Sequence, residues 1–195
     1  MRKSKIERKT KETAIKIELN VDGKGKSKID TGIKFLNHML ELFAKHGLFD
    51  LSVKAKGDLE IDQHHTVEDI GIAIGQAFDK ALAKRKGIAR AGYFVMPMDE
   101  SLAIVAIDIG GRPFLKFDAE FKDKIVGDLK TELIEEFFQA FANNLKVNLH
   151  VRLPYGKTTH HRTEAIFKGF ARALSMACST EKRAKGQIPS TKGKI

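Results

Sequence analysis

Apolar and polar positions alternate along several short stretches of this chain and recur at three- and four-residue intervals along others. The alternation predicts strands near 3–9, 13–21 and 26–30, with Asp22-Gly23-Lys24-Gly25 turning the chain between the last two. Helical spacing predicts a helix over about 32–46, then a strand over 49–56 and a helix over roughly 65–84. The same order returns in the second half. Strands are expected near 91–97, 101–109 and 113–120, a helix near 131–144, a strand near 146–153 and a helix near 161–178.

The residues support a duplication as well as the order of elements. Phe35, Leu36, Met39, Leu40 and Phe43 form the apolar stripe of the first helix, and 98 residues later stand Leu133, Ile134, Phe137, Phe138 and Phe141. In the last helix of each half the offset is 96. Ile70, Ile74, Ala77 and Phe78 correspond to Ile166, Phe170, Ala173 and Leu174. The expected fold is therefore α+β, a β-β-β-α-β-α unit used twice, with two sheets each covered by two helices. The half-repeats are expected over 1–87 and 88–195, the second ending in a basic tail, and together they form one compact unit.

Composition narrows the class of protein. The chain has 195 residues, 42% of them hydrophobic, which suits a globular fold rather than a disordered one. The longest purely apolar run, Leu102 to Ile107, is far short of the ~20 residues a membrane span needs. The N-terminus lacks the apolar stretch of a secretory signal, and the one cysteine, Cys178, excludes an intrachain disulfide framework. A reducing compartment, the cytoplasm, is expected, with Cys178 in the core. The net charge of +10 resides at the ends: residues 1–28 carry +6 and 182–195 carry +5, leaving a nearly neutral body. No nucleic-acid recognition motif accompanies that charge, so solvated lysines, or tails that help hold a small anionic substrate, are the better readings.

Four of the seven histidines carry the chemistry. His64-His65-x-x-Glu68 and His160-His161-x-x-Glu164 are two copies of one pattern at the same offset of 96. Imidazole and carboxylate suit divalent transition metals such as Mn, Fe, Co or Zn. Neighbouring residues on a helix point about 100° apart, so each histidine pair tends to serve two sites. Two metal centres related by pseudo-twofold symmetry follow. His38 flanks the first helix stripe and its duplicate position is Glu136, also of ligand type. The favoured grouping is His38, His65, Glu68 and His160 around one metal, and His64, Glu136, His161 and Glu164 around the other. The opposite assignment of the bridging histidines fits the spacing too. His150 alternates with Leu149 and Val151 and is expected to be a packed structural residue. His46 is either a helix C-terminal histidine or a substrate contact.

An ordered set of segments resembles the imidazoleglycerol-phosphate dehydratase family over nearly the whole chain. They are Arg8-Lys9-Thr10-Lys11-Glu12-Thr13, Thr31-Gly32 to Phe35-Leu36-Asn37-His38-Met39-Leu40, and Asp62-Gln63-His64-His65-Thr66-Val67-Glu68-Asp69. Pro97-Met98-Asp99-Glu100, Asp108 to Pro113, the second H-H-x-x-E-A and Ile188 to Gly193 complete it. The resemblance implies dehydration of D-erythro-imidazoleglycerol phosphate to imidazoleacetol phosphate in histidine biosynthesis, with two manganese ions per active site. It also implies a homo-oligomer, a 24-mer built from trimers, with metal sites between subunits. The substrate would be held as an imidazolate between the two metals. Glu12 would be the acid/base, and Arg90, Arg112, Lys168, Ser190 and Lys192 the phosphate contacts, with His46 a further substrate contact. The expected partner is thus a small phosphate ester, with no nucleic acid and no membrane. The chain departs from the common family pattern at Asn37, where Asp is usual, at Glu136, where His is usual, and at Thr158, where Asn is usual. Two other readings compete. A basic nucleic-acid-binding protein gives no reason for the duplicated histidine pairs. Another metallohydrolase on a similar fold gives none for the Ile188–Gly193 segment.

Overall fold

In a computed structural model, which describes residues 1–184 and 186–195, the strand and helix order follows the duplication. The first half comprises β1 (Lys3–Lys9), β2 (Thr13–Asn20), β3 (Ser27–Asp30), α1 (Lys34–Gly47), β4 (Asp50–Gly57) and α2 (His64–Leu82). The second comprises β5 (Ala91–Met98), β6 (Ser101–Asp108), β7 (Phe114–Asp118), a small hairpin of β8 (Ile125–Val126) and β9 (Leu129–Lys130), α3 (Glu132–Leu145), β10 (Asn148–Tyr155) and α4 (Thr159–Cys178). The sheets run β1-β2-β4-β3 and β5-β6-β10-β7, the same topology twice, with the last strand parallel to its neighbour in each.

Each sheet buries one face. Ile15, Ile17, Leu19, Leu51 and Val53 point inward from the first, and Ala103, Val105, Ile107, Leu149 and Val151 from the second. The opposite faces differ. The first sheet shows solvent Lys3, Lys5, Glu7, Lys16, Glu18 and Lys54, whereas the second shows Tyr93, Val95, Ile104 and Phe114. His150 stands on this outer face, 5.6 Å from the Phe114 ring, and is not packed inside. The period-two alternation that buries Leu149 and Val151 turns the residue between them outward.

The four helices lie between the sheets. Helix α2 packs on β1 and β2, α4 on β5 and β6, α2 against α3, and α1 against α4. Phenylalanines from both halves meet in the centre: Phe170 stacks on Phe43 at 5.2 Å and meets Phe138 and Phe141 edge-on at 5.1 and 4.9 Å. The α2–α3 contact is very close. A Cβ on Gly71 would lie 2.6 Å from the Phe137 carbonyl oxygen, and one on Gly75 2.8 Å from that of Phe141, so only glycine fits this spacing.

The hairpin β8–β9 has no counterpart in the first half and none in the sequence-based expectation. Its turn holds Gly127 at φ 59 and Asp128. Asp128 accepts from the Lys34 and Phe35 backbone N–H groups at 2.8 Å each, and so caps α1, whose own N-cap residue Ile33 has no side chain able to do it.

Candidate active site

Helix α1 crosses α4 at their N-terminal ends, and this brings together His38, His160 and Glu164. Glu164 Oε1 lies 3.0 Å from His38 Nε2 and 2.9 Å from His160 Nε2, while Lys168 Nζ sits 2.5 Å from Oε2. Burial alone would raise the Glu164 carboxyl. Hydrogen bonds from Lys168, His38 and His160 outweigh it and hold the group at about 2. A buried carboxylate with two imidazoles is a donor set that fits a divalent transition-metal ion.

The helix packing sorts the ligands differently from the grouping favoured by spacing. His38 joins Glu164, not Glu68. The duplication makes His64, Glu68 and Glu136 the counterparts of these residues, on the packed helices α2 and α3, but among the described residues they do not close into a compact ligand group as His38, His160 and Glu164 do. His64 Nε2 lies 3.9 Å from Glu68 Oε2, and Glu68 and Glu136 flank the Gly71–Phe137 contact. Glu136 is exposed.

His65 lies outside these sets, and His161 joins Asp99 and Glu100 in a second compact group of side chains able to hold a metal ion. His161 Nδ1 lies 2.7 Å from Glu100 Oε2, and His65 Nδ1 lies 3.0 Å from Asp58 Oδ2 and 3.9 Å from Glu12 Oε2. The hydrogen bonds to Glu100 and Asp58 raise the two imidazoles above the ordinary histidine range. Glu100 is held well below the carboxylate range, first by the Thr158 backbone N–H and then by His161.

Glu12 stands in the β1–β2 turn, and the motif around it is what builds that turn. Thr10 Oγ1 accepts from the Glu12 and Thr13 backbone N–H groups. Thr13 Oγ1 donates to Asp69 Oδ2 at 2.5 Å, and Arg8 pairs with Asp69 Oδ1 at 2.8 Å. The turn is thereby tied to α2, with the Glu12 carboxylate half-exposed beside His65.

Two of the three departures from the family pattern, Asn37 and Thr158, have local explanations. Asn37 uses its carbonyl oxygen, which accepts from Thr31 N–H at 3.0 Å and Thr31 Oγ1 at 2.6 Å, work that an aspartate oxygen does equally. Thr158 caps α4 by accepting from the His161 N–H at 3.3 Å.

Four of the five candidate phosphate contacts, Arg90, Arg112, Ser190 and Lys192, lie elsewhere. Arg90 binds Asp108 with two nitrogens, at 2.7 and 2.9 Å, and donates through Nη1 to the Pro189 carbonyl at 2.8 Å. It thus pins the tail that carries Ser190 and Lys192. The tail's end, Ile195, packs on Gly111, next to the exposed Arg112. The Arg90 backbone N–H donates to Ala177, at the C-terminal end of α4. His160 lies at the other end. At 1.5 Å per residue the two groups are roughly 25 Å apart along the helix. Lys168 belongs to the metal end, on Glu164. His46 is half-buried, and burial, with Lys168 and Arg172 nearby, lowers its imidazole. Cys178 is in the core, where burial pushes its thiol up to about 12. No helix among the described residues is long and apolar enough to cross a membrane.

Sequence reasoning expected Asp99 and Glu100 to brace the site or the strand turn, without a more specific role, and missed Asp58 and Asp69 as supports of the site. Asp69 lies inside a recognisable segment, and Asp58 lies in none.

Comparison with known proteins bears on the family and the fold. The family model described as imidazoleglycerol-phosphate dehydratase matches residues 31–174. The enzyme of that name from Koribacter versatilis is 55% identical over 193 residues, 99% of each chain. That from Acetivibrio thermocellus is 56% identical over 194 residues, covering 100% of this chain and 99% of its own. The crystal structure of the Staphylococcus aureus enzyme superposes with a TM-score of 0.83 at 42% identity, over 92% of this chain and 99% of that one. The Pyrococcus furiosus enzyme, solved in complex with (S)-C348, gives 0.84 at 34% identity, over 97% and 100%.

Proposed function

The chain belongs to the imidazoleglycerol-phosphate dehydratase family, lyases of histidine biosynthesis, and from that premise we propose that it works as a manganese-dependent homo-oligomer whose active site is shared between chains. The observation that carries the proposal is the separation of the metal cluster from the phosphate cluster along α4. The three-carbon chain between imidazole and phosphate in the substrate is far too short to bridge it. On this reading the metal end of one chain meets the tail end of another. The apolar outer face of the second sheet, against the charged one of the first, supports association.

His38, His160 and Glu164 would hold one manganese ion, and His64, Glu68 and Glu136 the other, with His65 and His161 free to complete the sites of neighbouring chains. When bound, the ions supply Lewis acidity and a template for the imidazole ring. Glu12 carries the proton that leaves carbon during dehydration, since it is the half-exposed carboxylate beside the histidines. Arg90 keeps donors free after pairing with Asp108 and Pro189, and with Arg112, Ser190 and Lys192 it binds the phosphate dianion.

The test is turnover of imidazoleglycerol phosphate by chelator-stripped protein, with and without added manganese. Imidazoleacetol phosphate formed only on reloading supports the reading. Undiminished turnover by protein verified to be free of metal would overturn it.

A further inference from the structure

Two histidines, the second of each pair, direct Nδ1 at a carboxylate, Glu100 for His161 and Asp58 for His65. The duplication shows what is particular about Glu100. Strands β2 and β6 match residue for residue, Thr13–Asn20 with Ser101–Asp108, so Glu100 is the counterpart of Glu12. Both sit in the turn before the strand, and both face the second histidine of a pair. Glu12 is half-exposed, with its carboxylate 3.9 Å from the imidazole. Glu100 is locked. Its Oε1 accepts from the Lys157 and Thr158 backbone N–H groups at 3.1 and 2.9 Å and lies 3.3 Å from Thr158 Oγ1, which leaves Oε2 for His161 at 2.7 Å.

We propose that Glu100 is a positioning residue that fixes His161 as the Nδ1–H tautomer and so reserves its Nε2 lone pair for a metal ion, and that Asp58 does the same for His65. A carboxylate can only accept, so the proton of the neutral imidazole must sit on Nδ1. The lone pair is then on Nε2, whose nearest acidic neighbour is Asp99 at 3.8 Å. A partner carboxylate behind a ligating imidazole orients the ring and raises its donor strength. The inference rests on the reading that these histidines bind metal. It adds which nitrogen is used and which groups enforce it.

The substitution that tests this is Glu100→Gln. Its amide oxygen can replace Oε1 beneath the two backbone N–H groups, so the 157–158 loop keeps its anchor. The NH2 group then faces Nδ1 and can only donate. That moves the imidazole proton to Nε2 and blocks the metal. Manganese titration of stripped protein, followed by the EPR of the free ion, should show one class of site weakened about 10- to 100-fold, with an unchanged thermal midpoint. Glu100→Asp, a worse match in length but acceptor-only, should bind manganese more tightly than Glu100→Gln. A role in shape alone predicts the reverse order. Wild-type affinity in Glu100→Gln, or the reverse order, would overturn the proposal. Should Glu100→Gln not fold, Asp58→Asn makes the same test at His65. Asp58 Oδ1 is buried without a partner among the described residues, so the orientation that leaves the carbonyl oxygen there and turns the NH2 to His65 is favoured over the flipped one. Unchanged manganese affinity there would count equally against the proposal. If wild-type protein itself takes up no manganese, the metal reading fails first.

Discussion

His38 Nε2 and Glu164 Oε1 lie 3.0 Å apart although 126 residues separate them in the chain. One is on the first helix of the first repeat, the other on the last helix of the second. The candidate metal cluster is thus built across the repeat boundary, and its geometry depends on the packing of α1 on α4 rather than on either repeat alone.

Glu164→Gln removes the carboxylate from this cluster and keeps the shape. Manganese affinity should fall by more than the roughly 10–100-fold that loss of a supporting hydrogen bond costs. Metal analysis of the purified variant, beside wild type prepared in parallel, checks it.

Glu12→Gln should lower turnover by about 10²–10⁴-fold, the range ascribed to a positioned acid/base. The carboxylate is half-exposed and the turn is held by Thr10, Thr13 and Asp69, so manganese content should be unchanged. Loss of metal together with activity would remove Glu12 from the proton-transfer role.

Gly71→Ala drives a methyl group against the Phe137 carbonyl oxygen. Helices α2 and α3 must separate, at a cost of about 1–3 kcal/mol. The midpoint of chemical denaturation reads this directly. An unchanged midpoint would mean that the helices do not approach as closely as described.

Acid should expose the Asp50 carboxylate as a stabilising group. It accepts from the Lys24 and Lys26 backbone N–H groups at 2.8 and 3.1 Å, the first being the main cause that lowers its pKa. A group depressed in the folded state stabilises above its unfolded pKa, near 3.9 for aspartate. That contribution is lost as pH falls through the lower folded value. Asp50→Asn should therefore be less stable than wild type at pH 6, and the gap in urea midpoint should narrow as pH falls below the ordinary aspartate value. A gap that persists in acid would assign the effect to something other than the charge.

The helix stripes Phe35–Phe43 and Leu133–Phe141, and the two H-H-x-x-E copies, were legible because each is a local period. The offsets of 98 and 96 then gave the duplication. The ligand grouping was not legible, since it depends on which helix packs on which, and spacing within one helix carries no such information. The hairpin at 125–130 escaped because two-residue strands have no period, although Gly127-Asp128 between Val126 and Leu129 is a turn signal. Asp58 and Asp69 look in sequence like any surface acid, and Glu100 is legible there only as a brace of the site or the turn, with no partner named. Only the structure shows them behind His65, Thr13 and His161.

The most direct test of a site shared between chains is complementation. Glu164→Gln disables the metal end, and Arg112→Ala with Lys192→Ala disables the phosphate end. Chains of the two kinds, co-expressed with different tags and purified as hybrids, should regain roughly a quarter of wild-type turnover if mixing is random and each site draws its ends from two chains. Hybrids no more active than their inactive parents would place both ends of the site in one chain and contradict the account.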